Sequence, residues 1–125
     1  MCGACGRSVA EDPVFPDGRT TRGNLIAAQM IAELCPSLTG RVKVVARPDG
    51  FVVSAPGGRQ TVCATVGAVW AVLHSLAPDA GVLLEPALAG LEERYREAGE
   101  HRLLEAVAAS GRRQLGTPRE VAARL

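Results

Sequence analysis

Along the first third of the chain the apolar residues recur at helical spacing. Leu25, Ile26, Met30, Ile31 and Leu34 share one face of an element that Thr20 or Thr21 can cap. It stops at Cys35-Pro36, because proline disfavours helical geometry in the residue before it. The period then changes to two: Val42, Val44 and Ala46 alternate with Arg41, Lys43, Val45 and Arg47. Pro48-Asp49-Gly50 turns the chain into Phe51 to Ala55, which predicts a β-hairpin. Pro56-Gly57-Gly58 supplies a second turn and Arg59 to Cys63 a third strand. After Thr65 the helical period returns at Val66, Val69, Trp70 and Leu73, which places Trp70 under the sheet.

Beyond Ala77-Pro78-Asp79 the pattern is strongly helical. Leu84, Leu88, Leu91, Tyr95 and Ala98 form one stripe, with Glu92 four residues before Arg96. Leu103, Leu104 and Val107 form a second stripe, with a break expected at Gly99 and an end at Gly111. Thr117-Pro118-Arg119-Glu120 is a capping box with proline at the first helical position, which predicts a short terminal helix. Two such stripes exceed what a short sheet covers. A homodimer, or a protein partner docked through the C-terminal helices, is therefore expected.

Composition narrows the class. The chain has 125 residues, of which 47% are hydrophobic and only 3% aromatic, so one core built of short side chains is expected. Fourteen basic residues face 13 acidic ones, leaving no field that would draw the chain onto phosphates or anionic lipid. Lys43 is the single lysine, and the Ala, Gly, Val and Arg bias is what GC-rich codons supply. The uncharged run Gln60 to Pro78 contains Gln60, Thr61, Thr65, His74 and Ser75, too polar for a spanning helix. With no export signature in view, a cytoplasmic, reducing compartment is the expectation, and there a Cys-x-x-Cys pair favours metal or redox chemistry over a structural disulfide.

Cys2-Gly3-Ala4-Cys5-Gly6-Arg7 resembles the zinc knuckle of rubredoxin-like and treble-clef sites. Two residues between the thiolates let both point at one ion, and the glycine after the second cysteine permits the tight turn. A tetrahedral site needs two further ligands, and Cys35, Cys63, His74 and His101 are the remaining soft or imidazole candidates. The third strand should end about 17 Å from where the first begins, at roughly 3.3 Å per residue, so Cys63 and Cys35 should not share one ion. The helix after Cys63 carries His74 back toward Cys35. The expected metal ligands are therefore Cys2, Cys5 and Cys35, with His74 or Cys63 as the fourth, and zinc as the cofactor; unliganded thiols and a redox pair stay open. The arm from Gly6 to Thr20, broken by Pro13, Pro16 and Asp17-Gly18, reaches either end of the sheet.

The predicted fold class is thus α+β: a helix, three-stranded antiparallel sheet, helix core (αβββα) over residues 21–78, with an N-terminal zinc knuckle and arm over 1–20. A helical extension over 79–125 packs as part of the same domain. Other resemblances are narrower. Met1-Cys2-Gly3 is similar to the opening of glutamine amidotransferases, which implies a nucleophilic Cys2 with the α-amine as base, but no glutamine-clamping pattern follows. The αβββα order resembles a double-stranded-RNA-binding domain, yet the position of that family's basic cluster reads Ala64-Thr65-Val66-Gly67-Ala68, without one charge. Arg41, Lys43 and Arg47 on the first strand read as protection of an edge. Thr117 to Leu125 resembles the first helix of a bacterial helix-turn-helix through Pro118-Arg119-Glu120-Val121-Ala122. The leading expectation is a small zinc-binding, non-catalytic accessory or adaptor protein acting through protein contacts. A nucleic-acid-binding or regulatory protein is the alternative, and a thiol enzyme using Cys2 or Cys5 the third.

Overall fold

The computed structural model describes residues 11–38, 40–77 and 79–116. The knuckle at Cys2 and Cys5 and the capping box at Thr117 to Glu120 lie outside the described residues. Helix α1 spans Thr21–Leu34, and the Thr20 hydroxyl caps it by accepting from the Gly23 N–H at 2.9 Å. A 3-10 turn at Pro36–Leu38 follows and buries Leu38. Strands β1 (Lys43–Arg47), β2 (Gly50–Ser54) and β3 (Gln60–Cys63) form an antiparallel sheet in the order β1-β2-β3. Helix α2 (Val66–Leu76) is capped by Thr65, whose hydroxyl accepts from the Ala68 N–H at 3.1 Å. Helices α3 (Ala80–Glu97) and α4 (His101–Leu115) complete the element order.

The alternation read from the sequence assigns the two faces of the sheet. Val44 and Ala46 pair with Val53 and Phe51, which pair with Thr61 and Cys63, and this face turns toward the helices. Phe51, Val53 and Cys63 are buried there. At the hairpin, Gly50 permits a close approach, since a Cβ on it would lie 2.4 Å from the Cys63 carbonyl oxygen. Asn24, buried in α1, donates its side-chain amide to the Arg47 carbonyl at 2.9 Å and fixes α1 against the end of β1.

Gly99 breaks the helical run as its sequence position implies. With φ +78° it lets its own N–H reach the Arg96 carbonyl at 3.1 Å and the Glu100 N–H reach the Tyr95 carbonyl at 2.8 Å, the double closure of a Schellman turn. Gly111 behaves differently from expectation. It does not end α4, which continues to Leu115; a Cβ on Gly111 would sit 2.9 Å from the Trp70 indole, so this glycine is there for close helix approach. Trp70 is fully buried, with its indole against Gly111 of α4 and its Nε1–H donating to the Val107 carbonyl at 3.1 Å.

The two C-terminal stripes are also covered. Leu84, Leu88 and Tyr95 of α3 and Leu104, Val107 and Leu115 of α4 belong to the same buried cluster as Ile31, Phe51 and Trp70. Surface clasps tie the helices together: Arg112 holds Glu85 through two hydrogen bonds, at 2.5 and 2.8 Å, and Arg22 of α1 pairs with Glu100 at 3.0 Å. Glu33 of α1 accepts from both Arg94 and the Tyr95 hydroxyl of α3. The apolar surface expected to recruit a second copy is thus spent inside the chain. No helix among the described residues is long and apolar enough to cross a membrane.

We predict that Trp70→Ala costs about 3–5 kcal/mol, as deletion of a buried aromatic does. Gly111→Val, forced against the indole, should cost roughly 1–3 kcal/mol through overpacking. Urea unfolding followed by far-UV circular dichroism measures both; a solvent-like tryptophan emission maximum for the native wild-type protein would contradict the packing.

Candidate functional site

The segment 11–20 contains no regular element, as its prolines and Asp17-Gly18 imply, but it is more than a connection. Asp12 is 5% exposed and uses both carboxylate oxygens. One accepts from the Val14 N–H at 3.1 Å, the other from the Val66 N–H at 2.8 Å, across 54 residues of chain. A carboxylate on the first N–H of α2 satisfies an orphan donor and sits at the positive end of the helix dipole. Phe15 lies against α1 at Gly23, where a Cβ would be 3.0 Å from the ring. Arg19 donates to the Ala64 carbonyl at 2.5 Å, with its guanidinium 5.8 Å from the centre of the Phe51 ring. Between this arm and Pro48 lies an open cleft of about 660 Å³, floored by Asp12, Phe15 and Arg19.

The arm is therefore anchored at the end of the sheet where β3 passes into α2, which is the Cys63 end. Cys63 pairs with Phe51 near the hairpin turn, is buried, and has its thiol pushed up by burial. Cys35 closes α1 toward the other end. It is buried beside a small apolar hollow of about 130 Å³ formed by Leu38, Val42, Val44 and Leu73. The separation of Cys35 from Cys63 and the approach of Cys35 to the end of α2 both follow the topology argued from the sequence. His74 succeeds Leu73 at that end, half-buried, and its Nδ1 is buried with no hydrogen-bond partner among the described residues. His101 is half-buried at the start of α4, 3.4 Å from Glu105.

Among the described residues, no group of three or more His, Cys, Asp and Glu side chains is placed to hold a metal ion. Cys2 and Cys5 lie outside the described residues. Burial pushes the Cys35 thiol up to about 11, partly offset by a hydrogen bond with Ser37 and reinforced by the Asp79 charge. A catalytic thiol needs the opposite shift. The opening of α2, where an RNA-binding domain of this order would present cations, has its first N–H already taken by the Asp12 carboxylate.

Sequence reasoning passed over Asp12, Phe15 and Asn24. Asp12-Pro13 carried a faint signal, since an Asx side chain before proline favours a turn closed by that side chain. Its acceptance from Val66 had none, because nothing local links residues 12 and 66. Comparison of the chain with protein-family models, curated proteins and solved structures finds no match.

Two predictions follow from these geometries. Asp12→Ala leaves the Val66 N–H without its acceptor and should cost about 1–3 kcal/mol, with faster hydrogen exchange at the Val66 amide as the specific sign. With its pKa raised to about 11, Cys35 at pH 8 is thiolate in on the order of one molecule in a thousand, so it should resist iodoacetamide until the chain is unfolded. Because its folded pKa lies above the unfolded one, the Cys35 contribution to stability is whole below about pH 8.5. It is lost as the pH climbs toward 11, and Cys35→Ala should flatten the alkaline fall in melting temperature.

Proposed function

We propose that this chain is a small zinc-binding, non-catalytic accessory protein that acts through contact with another protein. The observation that carries the reading is the anchored arm. Asp12, Phe15 and Arg19 hold it to the core, so Cys5 hangs seven residues from a fixed point and can reach about 23 Å from it, at roughly 3.3 Å per residue. A Cys-x-x-Cys pair on so short a tether is suited to closing on one further core ligand.

Cys2, Cys5 and Cys35 are the proposed ligands, with His74 as the fourth; Cys63, at the other end of α2, is the alternative to Cys35 rather than its companion. From Asp12, Cys35 lies across the length of α2, whose eleven residues rise about 16 Å, which is inside that reach. Cys63 lies at the near end. Either thiol is neutral without a metal, and zinc supplies the charge that makes a buried thiolate stable. Zinc would thereby join the N-terminal segment to the core as a structural ion. The partner surface has to lie away from the stripes of α3 and α4, since their large side chains are buried or half-buried.

Purified, reduced protein should carry about one zinc per chain, lost in Cys2→Ser and in Cys5→Ser. Metal analysis of Cys35→Ser, Cys63→Ser and His74→Ala then identifies the core ligands. Absence of zinc from the freshly reduced wild-type chain would end the zinc reading.

A further inference from the structure

One face of the sheet has no helix over it among the described residues. The pairing sets Val45 opposite Val52 and Val52 opposite Val62, a valine row across all three strands on the side away from the core. Val62 is 81% and Val45 49% exposed, while Val52 between them on the central strand is 8% exposed, so the exposed apolar surface lies on the two edge strands. Lys43 and Arg47 flank the row along β1, and Gln60 and Ser54 complete it. Arg41 precedes β1 and Arg59 precedes β3, and none of these four cations is ion-paired among the described residues. Between residues 41 and 63 the single acidic residue is Asp49, in the hairpin turn. A shallow hollow of about 510 Å³ between Arg47, Gly50, Val62 and Ala64 dents the hairpin end of this surface.

We propose that this face, where Val45 and Val62 are exposed on either side of the buried Val52 and Lys43 and Arg47 stand beside them, docks an acidic segment of a protein partner that carries its own apolar ridge. Charge chooses the occupant. A second copy laid face to face would oppose cations to cations, which costs affinity. The chain's own ends lack the complementary charge: residues 1–10 hold no acid, and residues 117–125 hold Glu120 against Arg119 and Arg124. A nucleic acid would meet the exposed Val45 and Val62 where it needs cations or stacking aromatics, and this face has no aromatic side chain. Edge protection accounts for Lys43 and Arg47 on β1 but not for an exposed valine on the opposite edge. Size agrees with a short segment: three strands about 4.8 Å apart and five residues at about 3.3 Å give a face of roughly 230 Å². That is well below the ~800 Å² per partner of a stable protein pair, so the contact is of the transient class.

This inference rests on the protein-contact half of the proposed function and is independent of zinc. Its test titrates the full chain against a fluorescein-labelled synthetic 14-residue helical peptide, with leucines at positions i, i+4 and i+7 and glutamates flanking them. The same peptide with lysine for glutamate and a 12-nucleotide single-stranded RNA serve as competitors of different chemistry. The acidic peptide should bind saturably and more weakly at higher salt, and Val62→Asp should weaken it tenfold or more. The double reversal Lys43→Glu, Arg47→Glu should lose the acidic peptide and gain the lysine peptide. Val62→Thr, which keeps the β-branched shape, provides the same comparison should Val62→Asp unfold. No saturable binding, equal binding by all variants, stronger binding of the RNA, or a wild-type dimer that Val62→Asp dissolves would each overturn the proposal. Zinc content measured on the same samples separates the two ideas: a zinc-free chain that binds the peptide defeats only the metal reading.

Discussion

The indole of Trp70 resting on Gly111 is the contact from which the helical half of the structure takes its shape. A glycine in mid-helix forfeits about 1 kcal/mol of helix propensity relative to alanine. Here it lets α4 come close enough for the indole N–H to find the Val107 carbonyl, so the largest side chain in the chain is buried with no donor left unpaired. Once α4 is set at that distance, Arg112 reaches Glu85 of α3, and the turn at Gly99 returns α3 alongside α4. Tyr95 and Arg94 of α3 then close on Glu33 of α1, which also lies on β1 and so completes the circuit of elements. The low aromatic content is consistent with this: Ala27, Ala28 and Ala108 are buried, and short side chains let backbones rather than rings set the spacing.

The arm obeys a different constraint. It contributes Val14 to the core, yet what holds its position is polar, a buried carboxylate shared between its own turn and the first N–H of α2. Thr65 already caps that helix with its hydroxyl, so Asp12 serves a second orphan donor that the local sequence cannot reach. Arg19 and Phe15 add a carbonyl contact and a glycine seat. Residues 12–19 are thus fixed at the junction of β3 and α2.

Periodicity was informative wherever the structure is decided locally. Thr20, Pro36, Thr65 and Gly99 mark helix ends through their own backbone chemistry, and the alternation from Val42 to Val53 assigns both faces of the hairpin. It misled where a residue answers to a distant neighbour. Gly111 reads as a terminator until Trp70 is placed against it, and the stripes of α3 and α4 read as surplus until α4 is seen to cover α2. For the candidate site, the separation of Cys35 from Cys63 was legible because strand length and antiparallel order determine it. The latch at Asp12 was not, since a contact between residues 12 and 66 leaves no periodic trace.

That same latch has a bearing on how the molecule assembles. The sheet is a meander whose partners are neighbours in sequence, and α3 with α4 is a local hairpin, so most of the architecture closes short loops. The Asp12 contact closes one of 54 residues and recognises a helix terminus, a target that exists only after α2 has formed. The contact cannot form before α2 does, and losing it unpairs no strand and leaves α2 still capped by the Thr65 hydroxyl.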